Sequence, residues 1–211
     1  MGMQFDNLPP TPYLAIVLDI IRKGIAREKG NLKLKVKEGI KNQQLEEVFN
    51  EIATQNEKMW IGVSKEHTQL SKQSREDIYF YLGGDKRPRI FYTEGKRLPK
   101  FKTPFEEEYV LGINTSGNPS GGIERFKLGI HGESQRLKHN GLIAYIENKT
   151  VAEWEKIINK SIAFHYPDDT VLQKDASFTN EYTSTHNYSG GVDGYFKMYH
   201  FWIDLTQGND V

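Results

Sequence analysis

Cysteine is absent from this chain of 211 residues. That excludes a disulfide framework, a thiolate zinc site and a cysteine nucleophile, and it suits a reducing cytoplasm. Histidine is sparse and scattered. His67, His131, His139, His165, His186 and His200 form no HxH, HxxxH or HExxH spacing, so no local motif supports a histidine-based metal site. There is no P-loop, no GxGxxG and no nucleophile elbow, which removes the usual signatures of nucleotide binding and of α/β-hydrolase chemistry. A Ser/His/Asp triad and a glycosidase carboxylate pair leave no such local mark, and both stay open. Long apolar runs are missing too. The best of them, residues 13–21, is interrupted by Asp19 and has no basic segment ahead of it, so neither a signal peptide nor a membrane span is expected. Net charge is the last absence: 28 basic residues balance 28 acidic ones, and any binding of nucleic acid has to come from a local patch.

What is present is enough apolar material for one compact domain, 37% hydrophobic and 12% aromatic. Leu14, Val17, Leu18, Ile21 and Ile25 fall at helical spacing and predict an amphipathic helix over residues 13–29, with Gly30 as its stop. Residues 31–37 alternate Leu32, Leu34 and Val36 with polar residues, as a short strand or a linker does. Leu45, Val48, Phe49 and Ile52 predict a second helix over residues 41–55. A short strand is expected at 59–63, an acidic turn with an apolar face at 105–113, and a surface connection at 114–122. IERFKLGI reads as a helix, residues 141–146 as a buried strand, and Thr150-Val151-Ala152-Glu153 as a capping box opening a helix over 151–162. Two further strands, at 177–188 and 195–205, are expected to form an antiparallel pair added to a sheet edge or a dimer surface.

The densest signal lies at residues 75–98, REDIYFYLGGDKRPRIFYTEGKRL, where Gly83, Gly84, Asp85 and Pro88 punctuate two aromatic-rich runs. Two neighbouring strands closed by a short loop are expected. Folding about Asp85 and Lys86 pairs residues whose numbers sum to 171, so that Leu82 faces Arg89 and Asp77 faces Glu94. Side-chain alternation then puts Asp77, Tyr79, Tyr81, Tyr92, Glu94 and Lys96 on one face. Carboxylates directly opposite one another destabilise a sheet unless something compensates, and a divalent cation held between them is one compensation. Lys96 completes an acid-acid-lysine cluster. Around it, Lys86, Arg87, Arg89, Lys96, Arg97, Lys100 and Lys102 stand against only Asp85 and Glu94, a patch suited to flanking phosphates. Glu147-Asn148-Lys149 is a rival triplet without an acid just upstream, and Asp85, in the turn itself, is a weaker partner for Glu94. The plain alternative is a solvated charged hairpin.

Asp77, a hairpin and Glu94-Gly95-Lys96 resemble the PD-(D/E)xK nuclease superfamily, which has the restriction-endonuclease-like fold. The run EGKRL, followed by EEYVLG, GGIERF and NGLIAYI, resembles a group of bacterial proteins of that superfamily over residues 77–146. The resemblance implies that Asp77 and Glu94 bind Mg²⁺, or Mn²⁺ in its place, with help from the Gly95 carbonyl, and that Lys96 orients or deprotonates the attacking water. An extra acid from the preceding helix is implied as well, with Glu47 chosen over Glu51. Lys86, Arg87, Arg89, Arg97, Lys100 and Arg125 are the implied contacts to nucleic acid, although a helix-surface salt bridge accounts for Arg125 as well.

The implied fold is α/β, an α-β-β-β-α-β core with a mixed central sheet flanked by helices and added C-terminal strands. Its pieces would be the helix near Glu47, the strands at Trp60, Ile78 and Phe91, the helix near Arg125 and the strand at Leu142. One domain, 1–211, would then divide into N-terminal helices (1–56), the core (57–165) and a C-terminal β extension (166–211). The implied activity is metal-dependent hydrolysis of phosphodiester bonds by a cytoplasmic DNA endonuclease, with two copies pairing where both strands are cut. The alternatives are a protein that keeps the fold but only binds nucleic acid or another protein, and a domain of unrelated function.

Overall fold

The computed structural model describes residues 11–55, 60–65, 78–99, 106–130, 137–189 and 194–206. Its elements follow one another as α1 (Thr11–Glu28), α2 (Glu38–Gln55), β1 (Ile61–Lys65), β2 (Ile78–Leu82), β3 (Arg89–Leu98) and a 3-10 turn (Glu106–Tyr109). Then come α3 (Gly122–Lys127), β4 (His139–Ile146), α4 (Val151–His165), β5 (Gln173–Lys174), β6 (Glu181–Asn187) and β7 (Tyr195–Asp204). The strands form one mixed sheet in the order β1-β2-β3-β4-β7-β6-β5. β1, β2 and β3 are an antiparallel meander, β4 returns parallel to β3, and β7 lies parallel to β4. β6 and β5 complete the far side antiparallel. The C-terminal pair thus continues the sheet beyond β4, with β7 as the joining strand.

Apolar residues fill both faces. Val17, Ile20 and Ile21 of α1 and Leu45, Phe49 and Ile52 of α2 pack with Ile61, Val63, Ile78, Phe80, Phe91, Ile143 and Tyr145 on one side. Trp154, Ile158 and Ile162 of α4 pack with Tyr92, Leu142, Ala144, Met198 and Trp202 on the other. Because β4 is covered on both faces, residues 142–146 are all fully buried, and their sequence is apolar without alternation. The capping box forms as expected: the Glu153 N–H donates to the Thr150 hydroxyl at 3.3 Å and the Thr150 N–H to Glu153 at 2.8 Å.

Several boundaries differ from expectation. Residues 31–37, read as a short strand or a linker, are a linker, and α2 begins at Glu38, three residues before the expected start. The β2–β3 register follows the sum of 171 at Ile78↔Thr93, Tyr79↔Tyr92 and Phe80↔Phe91. A bulge then places Tyr81, not Leu82, opposite Arg89. Ile90 is the extra residue, and the shift increases the local twist.

The free side of β1 is covered by a side chain. The Val63 N–H donates to Asn50 Oδ1 at 3.1 Å, and Asn50 Nδ2 donates to the Val63 carbonyl at 3.0 Å, so one amide imitates a neighbouring strand and blunts the edge. Among the described residues no helix is long and apolar enough to cross a membrane. Asn50→Ala leaves a buried donor and acceptor without that partner, and the urea midpoint is expected to fall by the equivalent of about 1–3 kcal/mol.

Candidate active site on the third strand

β3 continues past its last described pairing with β2, at Thr93, while β4 accompanies it through Leu98. Glu94 and Lys96 lie on the same face as Tyr92 and are 3% and 8% exposed. A carboxylate this deep needs compensation. Glu94 Oε1 lies 2.8 Å from Lys96 Nζ and 2.6 Å from Arg125 Nη1. Lys96 also donates to the Ser120 carbonyl at 3.0 Å. Arg125 projects from α3, whose first turn is tied back by Glu124, which accepts the N–H groups of Gly112 and Gly121 at 3.2 and 3.3 Å. Between these points the polar loop orders itself, Asn114 Oδ1 accepting from the N–H groups of Ser116 and Asn118.

A third acid enters from α2. Glu38 accepts the Arg97 N–H at 3.0 Å. Part of the residue reaches the surface, but its carboxyl end is enclosed. Burial is the main reason that its pKa rises to about 7. Lys96 opposes the rise, Glu94 adds to it, the hydrogen bond from Arg97 opposes it and Glu108 adds again. Burial alone would lower the pKa of Lys96, but Glu94, Glu38 and Glu108 outweigh it and hold the ammonium above its ordinary value. Lys96 is therefore a fixed positive charge in this arrangement, which fits the orienting role implied by the sequence better than the deprotonating one.

Gly95 allows α2 to come this close. A Cβ there would lie 2.2 Å from Asn42 Oδ1, which itself accepts the Tyr145 hydroxyl at 2.6 Å. The opposite face of β3 carries a second ion cluster. Arg97 holds Glu147 through Nε at 3.1 Å and Nη2 at 2.5 Å, and Lys41 pairs with the same carboxylate.

These contacts reassign several expected residues. Arg97 is engaged by Glu147 on the far face, and Arg125 is a buried partner of Glu94, so neither presents itself to a phosphate. Glu147 of the rival triplet is a structural counter-ion. Glu47 is exposed, accepts the Gln43 amide, and lies nine residues from Glu38, about 13 Å along α2 and half a turn around it. Glu38 is the acid of that helix that reaches β3. Glu51 pairs with Arg27. Lys86 and Arg87 are exposed in the hairpin loop and Arg89 is half-buried. Asp77 and Lys100 lie outside the described residues. Among the described residues no three carboxylate or histidine groups converge to hold a metal.

The histidines, silent as motifs, form a buried chain elsewhere. Trp202 Nε1 donates to the Tyr109 hydroxyl at 3.0 Å, which lies 2.8 Å from His200 Nδ1. Ser184 Oγ joins His200 Nε2, at 2.7 Å, to His186 Nε2, at 2.6 Å, and His186 Nδ1 lies 2.8 Å from Asp169. Indole can only donate and carboxylate only accept, so protons point one way along the chain: His200 carries its hydrogen on Nε2 and His186 on Nδ1. Burial would raise Asp169, but hydrogen bonds from His186, the Asn187 N–H and Lys127 hold it at about 2. Burial also lowers both histidines, His200 well below its usual value. Ser184, His186 and Asp169 have the connectivity of a nucleophilic triad, but Ser184 is 2% exposed and its oxygen is taken up by two imidazoles. A cleft of about 1040 Å³ between α1, the start of α4 and the end of β7 contains neither Glu94 nor Lys96, and its Arg22 is held by Glu181. The acid-lysine cluster on β3 is the better candidate because it includes Glu38, whose pKa lies near neutrality, whereas both histidines of the buried chain are held neutral. In comparisons with known proteins, no family model, curated protein or solved structure matches this chain.

Stability should depend on pH in two opposed ways. Between pH 4.5 and about 7 the folded chain retains a proton on Glu38 that the unfolded chain releases, so raising pH across that window weakens folding, on the order of 3 kcal/mol. Urea unfolding of Glu38→Gln is expected to lack this decline. Below pH 6.5 the unfolded chain takes up protons at His186 and His200 that the folded chain refuses, so stability falls on acidification in both proteins.

Proposed function

We propose that this protein is a metal-dependent nuclease with a restriction-endonuclease-like core, hydrolysing phosphodiester bonds of nucleic acid and of DNA first. The observation that carries the reading is the placement of Glu94 and Lys96 two residues apart on a buried strand, sharing their surroundings with Glu38 and Glu108. Perturbed carboxyl and ammonium groups that act on one another cluster at functional sites, and structural ion-pair networks perturb pKa as well. The succession α2-β1-β2-β3-α3-β4, with β4 parallel to β3, supports the reading because it follows the order of such a core.

Mg²⁺, with Mn²⁺ as substitute, suits the donors: the carboxylates of Glu94 and Glu38, the carbonyl of Gly95 and Asp77, which the hairpin sequence pairs with Glu94. The raised pKa of Glu38 reflects enclosure among other acids, which a divalent cation relieves. When bound, the metal stabilises charge on the phosphate and lowers the pKa of water. The chain's own groups do the rest. Lys96 orients the attacking water. Glu38, whose carboxyl rises to about 7 without a cation, gives up its proton as the cation binds. Arg125 holds the Glu94 carboxylate in place. Lys86 and Arg87 on the hairpin supply phosphate contacts, and pairing of two cytoplasmic copies belongs to this reading where both strands are cut.

A second reading, a protein that binds nucleic acid without cutting it, is favoured by one feature: Glu94 Oε1 is already shared by two cations. Cleavage of plasmid and single-stranded DNA separates the two. Cutting is expected with Mg²⁺ or Mn²⁺, to stop in EDTA, and to fall about 100-fold or more in Lys96→Ala. That variant leaves Glu94 paired with Arg125 and should fold. Binding without cutting by well-folded wild type, whatever the metal, moves the assignment to the second reading.

A further inference from the structure

The β1–β2 half of the sheet has two unlike faces. Ile61, Val63, Ile78 and Phe80 are buried against the α1–α2 side. Gly62, Ser64, Tyr79 and Tyr81, on the other side, are only half-buried. Tyr81 is paired with Gly62, and its ring lies across that residue, 2.2 Å from where a Cβ would be. The ring centroid of Tyr79 is 5.9 Å from that of Tyr81 and 5.8 Å from that of Tyr92. The Arg89 guanidinium lies 4.4 Å from the Tyr79 ring and 5.3 Å from the Tyr92 ring, and that of Arg87 lies 5.7 Å from the Tyr81 ring. This ladder leads toward Glu94, which lies on the same face as Tyr92, two residues and about 7 Å further along β3.

We propose that Tyr81, Tyr79, Arg87 and Arg89 form a stacking platform for unpaired nucleotides, so that the strand reaching Glu94 and Lys96 is single-stranded. The inference rests on the nuclease reading for what happens at Glu94 but not for the binding itself. Aromatic rings and guanidinium planes on a half-exposed sheet face offer π-surfaces to any base, regardless of sequence. In a duplex those base faces are covered by their neighbours. Only an unpaired strand has them available. The charge is complementary to a phosphate backbone, with Lys86, Arg87 and Arg89 in the hairpin against Asp85 alone. Covering Gly62 explains where the Tyr81 ring lies. It does not require an arginine beside Tyr81 and a second beside Tyr79.

Fluorescence anisotropy with labelled oligonucleotides in EDTA reads binding apart from cleavage. Wild type is expected to bind a single-stranded DNA or RNA oligomer more tightly than the same sequence as a duplex. Tyr81→Ala should weaken single-strand binding about tenfold, with Tyr81→Phe near wild type. The DNA and RNA arms show which strand is preferred. Circular dichroism and the urea midpoint confirm folding of each variant, and Arg87→Ala, in the exposed loop, tests the platform should Tyr81→Ala fail to fold. Equal single-strand binding by wild type, Tyr81→Ala and Arg87→Ala overturns the platform, as does a preference for duplex. Tyr81-dependent binding with no metal-dependent cutting upholds the platform and removes the nuclease. Lys96-dependent cutting of duplex, unaffected by Tyr81→Ala, does the reverse.

Discussion

A carboxylate buried in the middle of a sheet has to be compensated by positive charge, and much of the arrangement around β3 follows from that requirement at Glu94. Two cations meet it, one from its own strand and one from α3. Arg125 thereby docks α3, while Lys96 secures the Ser120 carbonyl in the segment that leads into it. Removing the Glu94 carboxylate would leave two buried cations without it, a far larger loss than the modest net gain from forming such a pair. Immediately beyond, on the opposite face, Glu147 poses the same problem and Arg97 and Lys41 answer it. The two clusters bind α2 and α3 to the same pair of strands, and the missing side chain at Gly95 lets α2 approach closely enough for Lys41 to complete the second.

The polar groups in this interior are resolved to different degrees. Along the line from Trp202 to Asp169 every donor meets an acceptor, both histidines stay neutral and the carboxylate is held well below its ordinary pKa. Such a network gives its parts one arrangement and rigidifies them. Glu38 is the contrary case. Its carboxyl is pushed up to about 7, so at neutral pH it is held between its neutral and charged forms, where an unfolded glutamate is fully charged. A group left in that condition costs stability, and costs of this kind tend to be retained where chemistry is done. This contrast, more than any resemblance, distinguishes the β3 cluster from the histidine chain.

Much of the scaffold was legible. The helical stripe of α1, the Thr150 capping box and the β2–β3 register from Ile78 to Phe80 all arise from periodicities of 3.6 and 2 or from side chains within one turn of the backbone they cap. The bulge at Ile90 was not, because an inserted residue alters pairing without altering hydrophobic character. Glu38 was missed for a related reason. The apolar stripe that marks α2 begins only at Leu45, so the pattern starts the helix at residue 41 and the visible acids are Glu47 and Glu51, of which Glu47 turns to solvent and Glu51 pairs with Arg27. Arg97 and Arg125 were read as surface cations because composition records a charge and not its partner.

The sequence by itself determined the α/β class, the hairpin, the capped α4 and the adjacency of Glu94 and Lys96, because each depends on residues a few positions apart. Only the tertiary structure decided that β7 lies alongside β4, that Glu38 meets the amide of Arg97, that Arg125 turns inward, and that Ser184 stands between two histidines. Those outcomes depend on burial and, apart from the Ser184–His186 contact, on partners 16 to 59 residues away in the chain. Burial and ion pairing act through space, so the energy of a charge is set by whatever the fold brings beside it.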